Sequence, residues 1–147
     1  MARVKLDLPD RFGFSTELTV RIGDVNYGQH MGNESVLLFA QEARLRFLRQ
    51  HGMSEMDAGG CGLIMADAVV VYKSQARHGD VLRVEVAVAD PGRAGFDFLY
   101  RVTERAAGRE VARVKTSMAF FDYAAGRPAR MPEKFRAALF PDLGTGD

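Results

Sequence analysis

Apolar and polar residues alternate with period two through most of this chain, and one long segment switches to helical spacing. From Asn33 to about Gln50, the residues Val36, Phe39, Ala40, Ala43, Phe47 and Leu48 recur at the 3.6-residue period. Leu37, Leu38 and Leu45 widen the apolar surface beyond one stripe, which predicts a helix buried on more than one face. Asn33 suits an N-cap and Gly52 a stop, with Arg46, Arg49 and His51 near the negative end of the dipole. Before the helix, Leu18, Val20 and Ile22 alternate with polar neighbours and predict a strand. After it come a long apolar run, Gly62 to Lys73, and three alternating segments. These are Leu82 to Val88, Phe96 to Val102, and Val114 to Phe120. Asp90-Pro-Gly-Arg and Ala107-Gly-Arg read as hairpin turns. A short tail helix is predicted from Pro132 to Phe140.

That order, strand, long helix, then four strands joined mostly by short turns, predicts an α+β fold. About five antiparallel strands would carry one helix on a single face. The 147 residues suit one domain spanning 1–147, with no repeat or linker. Apolar residues at 47% and charged residues at 27% are globular composition. A net charge of +1, with scattered basic residues, argues against nucleic acid or an anionic membrane as partner. The single Cys61 cannot form an internal disulfide, and the start of the chain lacks a signal-peptide core. No apolar run is long enough to span a bilayer. A cytoplasmic, non-membrane protein is expected.

The chemistry concentrates in Asp24-Val-Asn-Tyr-Gly-Gln-His30-Met-Gly-Asn33, between the first strand and the long helix. Two glycines and a helix start let backbone N–H groups face a ligand at the positive end of the dipole. A thioester carbonyl placed there would meet donors around Gly32, Asn33 and Glu34 as negative charge develops on its oxygen. Tyr27 and Gly28 would line the same loop.

This loop, followed by Glu42-Ala-Arg44, resembles the 4-hydroxybenzoyl-CoA thioesterase-like branch of the hotdog superfamily. Tyr72-Lys73, Gly79-Asp80-Val-Leu82 and a last strand ending at Asp122 echo it in order, over roughly Thr16 to Leu139. The resemblance implies a curved sheet wrapped around one helix and hydrolysis of an acyl-CoA or acyl-carrier thioester; His30, His51 and His78 are too dispersed to argue a metal site, and no cofactor is expected. It also implies a homodimer or homotetramer with active sites at the subunit interface. The branch uses an aspartate as nucleophile or general base, and aligning His30, Asn33 and Arg44 puts Asn26 in its place. A neutral amide is no base near neutral pH. Asp24 or Glu34 could take over, His30 could activate water, or the chain could bind thioesters without hydrolysing them. Gly23-Asp24-Val-Asn26 before His30 also resembles the signature of hotdog-type enoyl-CoA hydratases, with Tyr27 where proline is expected.

Blander roles stand beside these. His30 could tie down the loop, Asn33 could simply cap the helix, and Asn26 could form an Asx turn. Glu42 and Arg44 need ion-pair partners if buried. Asp67 is either a spare carboxylate or a surface residue. Lys73 and Arg77 could meet CoA phosphates as point charges. Met53, Met56, Met65, Met118 and Met131 read as core filler.

Overall fold

Residues 1–143 are described in a computed structural model of the chain. The long helix, α1 (Asn33–Gln50), matches the predicted span. It ends where Gly52 takes the left-handed conformation (φ 69°), which a side chain resists. The strands are β1 (Phe14–Thr19), β2 (Gly62–Tyr72), β3 (Val81–Ala89), β4 (Gly95–Glu104), β5 (Arg109–Asp122) and a two-residue β6 (Arg127–Pro128). A tail helix, α2, covers Glu133–Leu139. The sheet runs β1-β3-β4-β5-β2, antiparallel throughout, with β6 paired to β5. Expected α+β architecture is therefore observed, with β6 as an addition. No helix among the described residues is long and apolar enough to cross a membrane.

Period two decides which face is buried. Leu82, Val84 and Val86 of β3, Phe96, Phe98, Tyr100 and Val102 of β4, and Val114, Thr116, Met118 and Phe120 of β5 all turn inward. They meet Val36, Phe39, Ala40, Ala43, Phe47 and Leu48 of α1. Phe135 of α2 closes one end of the core against Phe96 and Phe120, at ring-centroid separations of 4.8 and 5.0 Å.

Several expectations need correction. The first strand stops at Thr19, and Ile22 begins a 3₁₀ turn (Ile22–Asp24) where it is 71% exposed. The Asp24 carboxylate causes this by accepting the Arg21 backbone N–H at 2.8 Å, which turns the chain out of the sheet. The N-cap of α1 is Gly32 rather than Asn33, and no side chain caps the helix. Leu38 stays 56% exposed, so the helix buries one broad face within the chain. Met53, Met118 and Met131 are core residues as expected, whereas Met56 and Met65 are exposed.

The buried Arg44 has its partner: an ion pair to Glu55, in the segment between α1 and β2, with Tyr100 Oη 3.5 Å away. Glu42 pairs with Arg46 one turn along the same exposed helix face. Asp67 sits at a bulge in β2 on the outer face, exposed and bonded to Lys115 Nζ at 2.8 Å.

Candidate active site

A cleft of about 380 Å³ opens at the start of α1. One wall is the loop preceding the helix, with Asn26, Tyr27, Gly28, His30 and Asn33; the other runs from Tyr72 to Ala76. Met31, Val36 and Val111 form the apolar floor. Six of the residues singled out in the sequence, Asn26, Tyr27, Gly28, His30, Asn33 and Lys73, are thus brought together.

The loop is held mainly by backbone bonds. His30 C=O accepts the Asn26 N–H at 2.9 Å, Met31 N–H donates to Ala76 C=O at 2.8 Å, and Gln29 takes a left-handed φ of 65°. Asn26 forms the Asx turn: its Oδ1 accepts the Gly28 N–H at 2.9 Å. Among the described residues, the Asn26 side-chain NH₂ has no protein acceptor and the His30 ring no hydrogen-bond partner, so both remain available to a ligand. Tyr27 projects fully into solvent at the rim. The opposite wall is fixed by Arg109, which donates to Ser74 Oγ at 2.8 Å and to Gln75 C=O, while Ser74 Oγ donates to Glu110 C=O at 2.7 Å.

Helix-start amides divide into two groups. Gly32 N–H donates to Asp24 C=O at 2.9 Å and is therefore committed to the fold. The N–H groups of Asn33 and Glu34 have no protein acceptor among the described residues and lie at the positive end of α1. Such a pair of donors can bind an anion or a developing oxyanion.

Neither candidate carboxylate lines this cleft. Asp24 is buried with its carboxylate on Arg21, and it lines a separate cleft between β1 and the other side of α1. Its C=O also accepts Ser35 Oγ at 3.1 Å, so its observed contacts are those of a loop anchor. Glu34 is exposed; its side chain folds back over Gly32, where an added Cβ would lie 2.5 Å from Oε1.

Tyr72 is the residue that sequence reading passed over as a weak echo. Its pairing with Ala112 puts it in phase with Val70 and Ala68, on the face that carries Val114 and Thr116 inward. Strand periodicity alone could have found it. Its hydroxyl donates to Asn33 C=O at 2.9 Å. Burial, and then the negative charge of Glu34, push the phenol above its ordinary pKa, so it keeps its proton at neutral pH.

Comparison with solved structures finds the same fold repeatedly. A 1,4-dihydroxy-2-naphthoyl-CoA thioesterase from Synechocystis superposes with a TM-score of 0.79 at 19% identity, over 89% of this chain and 98% of that one. A thioesterase from Thermus thermophilus, solved with coenzyme A and zinc, gives 0.74 at 23% identity, over 88% and 98%. A probable thioesterase from Escherichia coli gives 0.74 at 20%, over 85% and 95%. No significant match is found among curated proteins. The description that fits the sequence itself is the thioesterase-like superfamily, matched over residues 20–139, from the end of the first strand through the tail helix. The chain belongs to the thioesterase-like superfamily.

Proposed function

We propose that this chain hydrolyses an acyl-CoA thioester to free acid and thiol in the cleft between its Asn26–Asn33 loop and Tyr72–Ala76. The observation that carries this reading is an unpartnered His30 imidazole and Asn26 amide lining one cleft with Asn33, whose helix-start N–H, like that of the adjacent Glu34, has no protein acceptor among the described residues. The thioester oxygen would lie on those N–H groups, where charge developing in the transition state is stabilised more than the ground-state carbonyl. Asn26 would orient a water through its side-chain NH₂ or hold the carbonyl, and His30 would accept the water's proton. Of the proton acceptors raised by the sequence, His30 alone lines the cleft, which favours it over Asp24 and Glu34. Lys73, on the far wall, would meet a phosphate of the CoA arm.

The reading includes a homodimer. The edge strand β2 leaves Ile64, Met65, Ala66 and Ala68 exposed, an apolar edge that a second β2 would cover. The strand ends at Tyr72, so such pairing would bring the partner to the rim of the cleft.

A second reading, thioester binding without turnover, is favoured by one observation: Asn26 is neutral and its Oδ1 is occupied by Gly28. The test is thiol release from short, long and aromatic acyl-CoAs, with Lys73→Ala alongside. Turnover with a raised KM in Lys73→Ala supports the hydrolase. Saturable binding with no thiol released on any substrate selects the binder.

A further inference from the structure

We propose that Tyr72 is a positioning residue for this site: through its bond to the Asn33 carbonyl it polarises the Asn33–Glu34 peptide and makes the Glu34 N–H a stronger oxyanion donor. The inference rests on the thioesterase reading above, and it assigns a role to a residue outside the loop that carries the family motif.

The C=O of Asn33 and the N–H of Glu34 are two ends of one peptide unit. A hydrogen bond received at the oxygen draws electron density away from the nitrogen and strengthens what the N–H can donate. Tyr72 Oη supplies that bond at 2.9 Å. The Glu34 N–H at the other end has no protein acceptor among the described residues and lies one residue beyond Asn33, which lines the cleft, so the added polarity is available to a ligand that reaches the helix start.

The same bond has a mechanical consequence. Helix α1 begins without a side-chain cap, and among the described residues no other hydrogen bond joins it to β2. Together with the Met31 N–H to Ala76 C=O bond, the Tyr72 phenol ties the helix start to the opposite wall of the cleft. Because the phenol remains protonated at neutral pH, the donor direction is fixed as well.

Removing an oxyanion donor outright lowers kcat by about 10²–10³, and loss of cooperative polarisation weakens one by roughly 10–30%. Applied to the logarithm of the rate, that gives a fall of roughly two- to eightfold in kcat for Tyr72→Phe, with KM changing less than about twofold. Replacing Tyr72 by 3-fluorotyrosine, a more acidic phenol of nearly the same shape, is expected to move kcat the other way. The Glu34 backbone ¹⁵N resonance reads the polarisation directly: it shifts in one direction with Tyr72→Phe and in the opposite direction with 3-fluorotyrosine. A Glu34 resonance that does not move, in folded variants, overturns the inference whatever the turnover. So does a Tyr72→Phe enzyme with wild-type kcat. A resonance that moves as expected in a chain releasing no thiol overturns the thioesterase reading instead and leaves the polarised peptide standing.

Discussion

Glu55→Ala should destabilise the fold by much more than Arg44→Met, although the two residues share one ion pair. Arg44 projects from α1 into the core with its side chain 5% exposed, whereas the Glu55 side chain is 24% exposed. Burial pulls the Arg44 guanidinium down, while the Tyr100 phenol and Glu55 more than offset it and hold it above its ordinary range. It therefore stays charged under all ordinary conditions. Deleting Glu55 strands that charge among Tyr100 and Thr116, whose hydroxyls bond each other at 2.7 Å and cannot neutralise it. Breaking a buried pair this way costs about 3–5 kcal/mol, and water reaching the partly open Glu55 side lowers the expectation to about 2–4. Deleting Arg44 leaves a carboxylate that can swing into solvent, and Met refills the volume, so the cost should be about 1 kcal/mol or less. The double variant should lie closer to Arg44→Met than to Glu55→Ala. Urea unfolding of all three variants, followed by far-UV circular dichroism, measures the differences. Glu55→Ala costing no more than Arg44→Met would refute the reasoning, because the asymmetry follows directly from which partner is sealed from water.

Three further expectations follow from particular contacts. Glu110 receives Arg113 Nε at 2.9 Å and Arg101 Nε at 3.3 Å; although burial pushes its carboxyl up, the two guanidiniums outweigh this and hold it below the ordinary carboxylate range. A folded pKa below the unfolded one gives stability that is present above the unfolded value and lost as pH falls through the folded one. Glu110→Gln should therefore flatten the acid limb of a stability–pH curve, at a cost near neutral pH under about 1 kcal/mol; an unchanged limb contradicts it. Gly95→Ala would place a Cβ 2.5 Å from the Met118 carbonyl oxygen, inside the β4–β5 ladder, and should lower stability by about 1–3 kcal/mol in thermal melts. Met65→Glu, on the exposed inner face of β2, should leave a particle of the 16.2 kDa chain mass by light scattering, where the wild type is expected at twice that; a wild-type monomer contradicts the dimer.

What the sequence revealed, and what it hid, divides along physical lines. Helix α1 and the five long strands were legible because each buries a face, and burial imposes a period that a one-dimensional pattern can show. Ile22 was misread because its alternation continues that of Leu18 and Val20, while the turn that removes it from the sheet comes from the Asp24 side chain bonding backbone three residues earlier. Asn33 is misplaced as the cap for a similar reason: the Asp24 C=O, eight residues before Gly32, takes the Gly32 amide. The loop stands out in the sequence as a candidate ligand site, but which of its amides stay free could not be read from residue types. Arg44 was recognisable as a charge needing a partner, yet Glu55 lies beyond the helix and only the tertiary fold brings the two together. Tyr72 was in plain view by strand periodicity and lacked any local signal that its hydroxyl reaches the helix start.

The central claim is that the Asn26–Asn33 loop turns over a thioester, and kcat for thiol release by His30→Ala and Asn26→Ala tests it most directly. Measured on the best acyl-CoA substrate, with folding verified by circular dichroism, both variants should lose kcat by about 10²-fold or more relative to wild type. Asn26→Asp should retain or raise it. Wild-type kcat in both alanine variants would place the chemistry elsewhere and contradict the account.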